Sequence, residues 1–410
     1  MQMKEFSFPK SEIKIFLAEN IHPRASDLLK AEGFLVESSK SALSESELIS
    51  KAKDAHILGI RSKTKITPGY LREAKRLLSV GCFCIGTNQV DLNFARSQGV
   101  AVFNAPFSNT RSVAEMVMAE IISLSRQLFD RSQNLHKGKW DKAANGCFEV
   151  RGKTLGIVGY GHIGSQLSVL AESFGLKVLY YDIVTKMPLG NSHQVVSLEE
   201  LLSNSDFVTL HVPETEQTKN MMSGAVLRKM KQGSYLINAS RGTVVDISAL
   251  SVLLREKHLA GAAIDVFPEE PESNDQVFKN ELQGLSNVIL TPHIGGSTEE
   301  AQANIGVEVA ASIIKFINNG STFGSVNFPQ VELPLQRQTH RILNVHKNVP
   351  GVLKEINSII SDLGANIEAQ HLATDSEIGY LIVDLDKQLS EKVREQIAAL
   401  KTNIRTRILY

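Results

Sequence analysis

From Ile13 onward the chain alternates short apolar runs with amphipathic stretches. IKIFLAE, FLVES, HILGIRS, LLSVGCFCIG and VAVFNA read as strands. Between them HPRASDLLKAEG, SESELISKAKDA and TPGYLREAKRL carry apolar residues at three-to-four spacing, which predicts helices. Such strand–helix alternation predicts a parallel sheet with helices on its faces, an α/β class. The rhythm resumes at Leu155, with strands expected at 155–158, 178–181, 207–212, 235–238, 262–266 and 288–291. Between the two blocks, SVAEMVMAEIISLSRQLF predicts one long helix over 110–137. After Thr298, EEAQANIGVEVAASIIKFINN predicts another that returns the chain to the first block.

A third pattern closes the chain. SVNFPQVELPLQRQ is proline-bearing, extended and poor in helical spacing, and reads as a linker. From Thr339 the order is strand (HRILNVHKN), helix (VPGVLKEINSIISDLG), hairpin (ANIEAQHLAT and GYLIVDLDK), helix (SEKVREQIAALK) and strand (TRILY). That βαββαβ order is ferredoxin-like. The expected division is 12–108 with 297–330, then 109–296, a linker at 331–338, and 339–410.

Composition mainly excludes. Lys plus Arg equals Asp plus Glu at 44 each, so no net field points to nucleic acid or to an anionic membrane. Three cysteines do not make a disulfide framework, and Cys82 and Cys84 in GCFCIG suit a buried strand better than a metal site. No metal is expected. The start, MQMKEFSFPKSEIK, lacks the apolar core of a signal peptide, and no apolar run is long enough to span a bilayer. The expectation is a globular, cytoplasmic protein.

The most specific segment is KTLGIVGYGHIGSQLSVLAESFGLKVLYYD, residues 153–182. A strand leads into Gly159-Tyr160-Gly161-His162-Ile163-Gly164, a helix follows, and a second strand ends at Asp182. Gly159 suits the tight strand-to-helix turn, Gly161 the close approach of backbone to a pyrophosphate, and Gly164 close helix–strand packing. The helix N-terminus offers unpaired N–H donors to the phosphates. Asp182 can accept hydrogen bonds from a ribose diol, and its charge favours NAD over NADP.

Three further segments place polar groups just past strand ends: INASRG with Arg241, IDVFPEEP with Glu270, and TPHIGG with His293. In an open parallel sheet, ligands sit beyond the carboxyl ends of the strands, so these three can converge beside a nicotinamide. An imidazole near neutrality can take a hydroxyl proton while hydride leaves carbon. A carboxylate on its far ring nitrogen fixes the tautomer, and a guanidinium offers a fork to a substrate carboxylate.

ASRGTVVD, GAAIDVFPEEP and TPHIGGST, with the GYGHIG loop, resemble the D-2-hydroxyacid dehydrogenases. With the C-terminal unit added, the chain is similar to the bacterial D-3-phosphoglycerate dehydrogenases of that family that carry an ACT domain, from Ile13 to Tyr410. The resemblance implies a Rossmann-type doubly wound NAD-binding domain, a flavodoxin-like discontinuous substrate domain and a ferredoxin-like ACT domain. It implies oxidation of 3-phospho-D-glycerate to 3-phosphohydroxypyruvate with NAD, the opening step of serine biosynthesis. By the same resemblance Arg241, Glu270 and His293 are catalytic, with Glu269 only a neighbour. Cofactor contacts carry over to His162, Ile163, Asp182, Ala239, Ser240, Arg241, Asp265, His293, Gly295 and Gly296. Arg61 matches the position that binds a substrate anion. Ser62 and Asn109 sit beside it, and Lys142, with Lys63 and Lys139, can add phosphate contacts. In the ACT unit, His346, Asn348 and Asn366 are implied to bind L-serine across a subunit interface of a homotetramer. Two rivals stay open: a dehydrogenase for another 2-hydroxy acid such as 2-hydroxyglutarate, and a non-catalytic NADH-sensing protein on the same scaffold.

Overall fold

Short aliphatic runs, each followed by a helix, build a five-stranded parallel sheet: β1 (Lys14–Leu17), β2 (Leu35–Ser38), β3 (Ile57–Ile60), β4 (Ser79–Cys82) and β5 (Ala101–Phe103). The order β2-β1-β3-β4-β5 is the flavodoxin-like arrangement. β3 and β4 are buried along their whole length, as strands covered on both faces must be. Cys82 ends β4, buried and reduced. The structure, a computed structural model, describes residues 8–271, 275–334, 339–386 and 388–409. It divides into two compact units: Asn109–Ala301, and the chain before Asn109 joined by the chain after Ala301.

The Asn109–Ala301 unit holds seven strands: β6 (Thr154–Val158), β7 (Lys177–Tyr181), β8 (Ser192–Gln194), β9 (Phe207–Leu210), β10 (Ser234–Asn238), β11 (Leu259–Ile264) and β12 (Val288–Leu290). They pair in the order β12-β11-β10-β9-β6-β7-β8, all parallel. β6 therefore lies between β7 and β9, where the winding reverses and a crevice opens at the strand ends. The glycine fingerprint follows β6, so it sits at that switch point.

One expectation changes here. The run 110–137 is two helices, Thr110–Arg126 and Leu128–His136, separated by Gln127. Gln127 is left-handed at φ 50°, and its N–H turns back to the Leu124 and Ser123 carbonyls, closing the first helix. The apolar spacing continues through the break, so periodicity alone could not reveal it.

The C-terminal strands are β13 (His340–Lys347), β14 (Ile367–Thr374), β15 (Ile378–Leu385) and β16 (Asn403–Leu409), antiparallel in the order β14-β15-β13-β16. Helices Val352–Asp362 and Ser390–Ala398 complete the βαββαβ unit. Ile342, Leu381 and Val383 pack under these helices against Ile356, Ile360 and Val393. The other sheet face does not stand alone. Leu343, Val345, Tyr380 and Ile382 join one core with Ile15, Phe103, Ile313 and Phe316 of the first block. Arg341 is fully buried there. It makes a two-pronged ion pair with Asp384 (2.6 and 2.6 Å) and donates to the carbonyls of Asn319 (3.0 Å), Leu333 (2.7 Å) and Pro334 (2.8 Å). The first residues of the expected linker, 331–334, are thus tied down, whereas 335–338 lie outside the described residues. Among the described residues no helix is long and apolar enough to cross a membrane, and no group of three His, Cys, Asp or Glu side chains could hold a metal.

Candidate active site

The dinucleotide cradle is built by glycine sterics. Gly159 has φ 92°, and a Cβ there would strike the His211 carbonyl. A Cβ on Gly164 would strike the Gly159 carbonyl oxygen, so the helix can pack only without one. Gly161 caps the helix His162–Ser173, and a Cβ there would meet nothing within 4 Å. That open space in front of a helix N-terminus fits a pyrophosphate, with His162 and Ile163 at the first turn. Asp182 is held by its own neighbours: Oδ2 accepts from the Tyr160 N–H (2.8 Å) and Oδ1 from the Val184 N–H (3.1 Å). The residues present therefore fit NAD.

At the end of β10, buried Asn238 shapes the turn that carries Ala239, Ser240 and Arg241. Its Oδ1 accepts from the Ser240 N–H (3.1 Å) and hydroxyl (2.8 Å), and its Nδ2 donates to the Arg241 carbonyl (3.0 Å). The Arg241 guanidinium in turn donates to the Ser240 carbonyl at 2.7 Å.

Past β11, Asp265 is only 1% exposed and organises the loop that carries His293. Its Oδ1 accepts from the Thr291 hydroxyl (2.6 Å) and the Ile294 N–H (2.8 Å), and its Oδ2 from the Gly295 N–H (2.8 Å). Its carbonyl takes the His293 N–H at 2.8 Å. His293 itself has φ 55°, a left-handed conformation that costs a residue with a Cβ about 1–2 kcal/mol. Those bonds hold it there.

The His293 ring then meets Glu270. His293 Nδ1 lies 2.8 Å from Glu270 Oε2, while Glu270 Oε1 accepts from the Phe267 N–H at 3.1 Å. The Glu270 bond lifts the imidazole above its ordinary pKa; burial works against the shift, and the Glu270 and Asp265 charges add to it. For Glu270, burial raises the carboxyl, but the His293 bond, the Phe267 N–H and the charges of His293 and Arg241 together bring it below the ordinary value. Arg241 is thus close enough to act on both members of the pair. A cavity of about 410 Å³ lined by Phe267, Glu270, Phe278, Leu290, Pro292 and His293 opens beside them. Gly295 and Gly296 follow, the latter against Asn109, whose buried Oδ1 has no partner among the described residues.

In the other unit, the loop after β3 carries Arg61 and Ser62. Buried Glu19 gathers it by accepting the N–H groups of Arg61 (3.2 Å), Lys63 (3.0 Å) and Thr64 (2.7 Å), and Gln89 donates to the Arg61 carbonyl (2.7 Å). Lys142 stays exposed on a segment without helix or strand, tied by Arg131 through the Asp141 and Ala143 carbonyls. It is not among the residues that hold the His293–Glu270 pair. Asn238, Asp265 and Glu19 were not singled out for these roles by sequence. The only local signal was an acid or amide at a strand end.

Of the implied effector residues, His346 is buried, its Nδ1 2.8 Å from Asn344 Oδ1 and its ring over Gly379. Asn344 also donates to Asn403 (2.9 Å) and Thr406 (3.0 Å), which fixes its amide. Burial lowers the His346 pKa. Asn348 is exposed; its Nδ2 donates to the Asp375 carbonyl (2.6 Å) and its N–H to the Glu377 carbonyl (2.8 Å). Asn366 donates to Glu368 (3.0 Å), and its N–H meets Asp386 (3.0 Å). Asn348 and Asn366 therefore flank opposite ends of the β14–β15 hairpin, roughly 25 Å apart at the strand rise of about 3.3 Å per residue. No small molecule touches both within one chain.

Two family models match. One is the D-isomer specific 2-hydroxyacid dehydrogenase NAD binding domain, over residues 118–295, and the other an AHAS small subunit-like ACT domain, over 342–405. The chain is 56% identical to the D-3-phosphoglycerate dehydrogenase of Dictyostelium discoideum over 404 residues, 98% of this chain and 99% of that one. It is 51% identical to the enzyme of the same name from Escherichia coli K12 over 411 residues, the full length of both. Among solved structures, D-2-hydroxyisocaproate dehydrogenase aligns with a TM-score of 0.70 at 27% identity, covering 77% of this chain and 99% of that one. The Aquifex aeolicus D-lactate dehydrogenase complexed with NAD and lactic acid aligns at 0.66 and 27%, covering 77% and 100%.

Proposed function

The chain belongs to the D-isomer specific 2-hydroxyacid dehydrogenase family, in its D-3-phosphoglycerate dehydrogenase branch, and on that premise we propose that it oxidises 3-phospho-D-glycerate to 3-phosphohydroxypyruvate, with His293 taking the hydroxyl proton. The enzyme class is NAD-dependent oxidoreductase. The observation that carries the assignment of roles is the 2.8 Å His293–Glu270 bond at the C-terminal edge of the parallel sheet.

Gly161 and the helix His162–Ser173 would hold the phosphates of NAD and Asp182 its ribose diol, and the bound cofactor would supply the acceptor for the substrate's hydride. The protein then has to remove a proton from the 2-hydroxyl. Glu270 binds Nδ1 and so directs Nε2 toward that oxygen, and its charge stabilises the imidazolium formed by proton transfer. Arg241 holds the substrate carboxylate and the oxygen as it becomes a carbonyl. In the reverse reaction the imidazolium returns the proton. Asp265 sets the position of the whole His293 loop. Arg61 and Ser62, with Asn109 and Lys142, are assigned to the anionic ends of the substrate.

The C-terminal unit is assigned to feedback control by L-serine, through His346 and Asn348 of one chain and an Asn366 of a second copy. The wide separation of Asn348 and Asn366 supports a site shared by two copies, and so an oligomer, in this reading a homotetramer. The reading divides the chain as 12–108 with 297–330 for substrate, 109–296 for NAD and 339–410 for regulation, in a cytoplasmic enzyme.

The test is NADH formation with 3-phosphoglycerate, set beside 2-hydroxyglutarate, each with and without serine. Turnover on 3-phosphoglycerate that serine suppresses is the expected result. Preference for 2-hydroxyglutarate would move the substrate assignment, and tight NADH binding without turnover on either would favour a sensor.

A further inference from the structure

Behind Asp265 lies a second acid that the mechanism does not use. Glu120, on the helix Thr110–Arg126, is 5% exposed, and both its carboxyl oxygens are buried without a hydrogen-bond partner among the described residues. Strand parity places Asp265 on the side of the sheet that this helix covers. Ala263 of β11 packs in the core made with Val113, Val117 and Leu124 of that helix, whereas Ala262 and Ile264 pack on the opposite side. Asp265, two residues past Ala263, therefore projects to the helix side. One turn before Glu120, Met116 already abuts the loop, since a Cβ on Gly295 would meet both Met116 and Asp265 Oδ2.

We propose that Glu120 is a positioning residue for the His293 loop: kept as the neutral carboxylic acid behind Asp265, it leaves Asp265 as the sole anion and acceptor of the loop's donors, and its ionisation loosens that loop. Two carboxylates on one buried face cannot both stay ionised cheaply. Once Glu120 loses its proton, two anions share that face and repel, and a displacement of the Asp265 carboxylate weakens its bonds to Ile294 and Gly295. Burial is the main force keeping Glu120 neutral, and the Asp265 charge adds to it; together they push its pKa up to about 8. Among the described residues the cations of the elements packed against it are engaged elsewhere or exposed: Arg126 at the end of its own helix and His136 of the next are exposed, and Arg131 donates to the Asp141 and Ala143 carbonyls. β10 offers Tyr235, and β12 has no titratable residue. The neighbouring helix His162–Ser173 has only His162 and Glu172, both exposed. On the helix itself Glu115 pairs with Arg111 at the surface, and Asp130 of the following helix binds the Asn287 N–H.

The inference rests on the dehydrogenase reading above. Its test is the pH profile of kcat/KM for NAD-dependent oxidation in wild type and Glu120→Gln. In the wild type, activity rises as His293 deprotonates, then falls above about pH 8, tenfold per further unit. In Glu120→Gln the rise remains and the fall is absent, so the ratio of activity at pH 9 to that at pH 7 is about tenfold higher than in wild type. Superimposable profiles would overturn the proposal. If Glu120→Gln does not fold, Glu120→Met carries the same expectation. A thermal series gives an independent readout. With its folded pKa above the ordinary 4.5, Glu120 costs stability as pH rises through 4.5 to about 8, so wild type should lose ground to the Gln variant across that window. No such divergence would also overturn it. Absence of turnover in the wild type would instead sink the dehydrogenase reading and leave the thermal test standing.

Discussion

The loop that carries His293 and the loop that carries Asn348 both leave the end of a strand, yet they are anchored in opposite ways. The first is gathered by a buried carboxylate, Asp265, through one hydroxyl and two backbone N–H groups. The second is held by two hydrogen bonds from Asn348 to a hairpin turn, at an exposed side chain. The Arg61 loop follows the first design, with Glu19 accepting three N–H groups. Buried charge-assisted bonds are stronger and stay unscreened, so they suit a loop that must keep one geometry. A loop that answers a ligand needs a cheaper anchor, because its states must differ by only a few kcal/mol.

The comparison breaks most visibly at His293. His293→Ala should lower kcat for oxidation by about 10²- to 10⁴-fold, the usual worth of a positioned general base, with NADH binding retained by fluorescence titration. Unchanged turnover would remove His293 from the mechanism. Asp265→Asn comes next. It keeps the shape but sets an NH2 against either the Gly295 N–H or the Thr291 and Ile294 donors, and each unsatisfied buried group costs about 1–3 kcal/mol. We expect kcat to fall by about 10- to 100-fold while the far-ultraviolet circular dichroism is unchanged. Glu19→Gln, the matching change in the other unit, should act on KM for the substrate by up to about tenfold more than on kcat. Equal effects on the two constants would argue that Glu19 only supports the fold.

These contrasts also explain what the sequence could show. The strands around the fingerprint, and the order of the C-terminal unit, were legible because they rest on local spacing and on glycines whose neighbours lie within a few residues. The positions past β10, β11 and β12 were legible for the same reason, as polar groups breaking an apolar run. The anchoring roles of Asp265, named only as a cofactor contact, and of Glu19 were not, since their donors lie some 26–30 and 42–45 residues further on. The break at Gln127 was hidden because apolar spacing runs through it, and Glu120 because a glutamate in an amphipathic helix reads as surface. The C-terminal sheet looked self-contained, but alternation cannot say whether a second apolar face meets its own helices or another block.

A finer measure of the dyad is its pH dependence. Because Glu270 holds the His293 pKa above its ordinary 6.5, the acidic limb of the oxidation profile should lie above that value. Glu270→Gln should move that limb to lower pH as well as reduce kcat, and in the reductive direction the loss of activity should begin at lower pH. The stability linked to the pair runs the other way. The His293 part is complete below pH 6.5 and fades as pH rises through the raised value. The Glu270 part is present above pH 4.5 and fades as pH falls through the lowered one. The pair should therefore contribute most between those two values. A limb unmoved in Glu270→Gln would mean that the 2.8 Å bond is not what sets the imidazole.

The smallest effect belongs to the loosely held loop. The turn that receives Asn348 is tied to the five-stranded sheet's unit by Arg96, which lies 3.8 Å from Asp375 and 3.3 Å from Glu377 and donates to the Asn327 carbonyl at 3.0 Å. A shift of the Asn348 loop would reach Arg96 through this turn. The ion pairs are partly exposed, and pairs of that kind are worth about 0.2–1 kcal/mol. Arg96→Ala should then change the serine concentration for half inhibition by at most about fivefold, while Asn348→Ala, which removes the contact itself, should change it more. The sharper sign of coupling is a split between binding and response: in Arg96→Ala, serine binding by calorimetry should weaken less than inhibition does. If both move together, Arg96 only braces the turn, and the signal leaves the C-terminal sheet through the apolar face that Tyr380 and Leu343 share with Phe103 and Phe316.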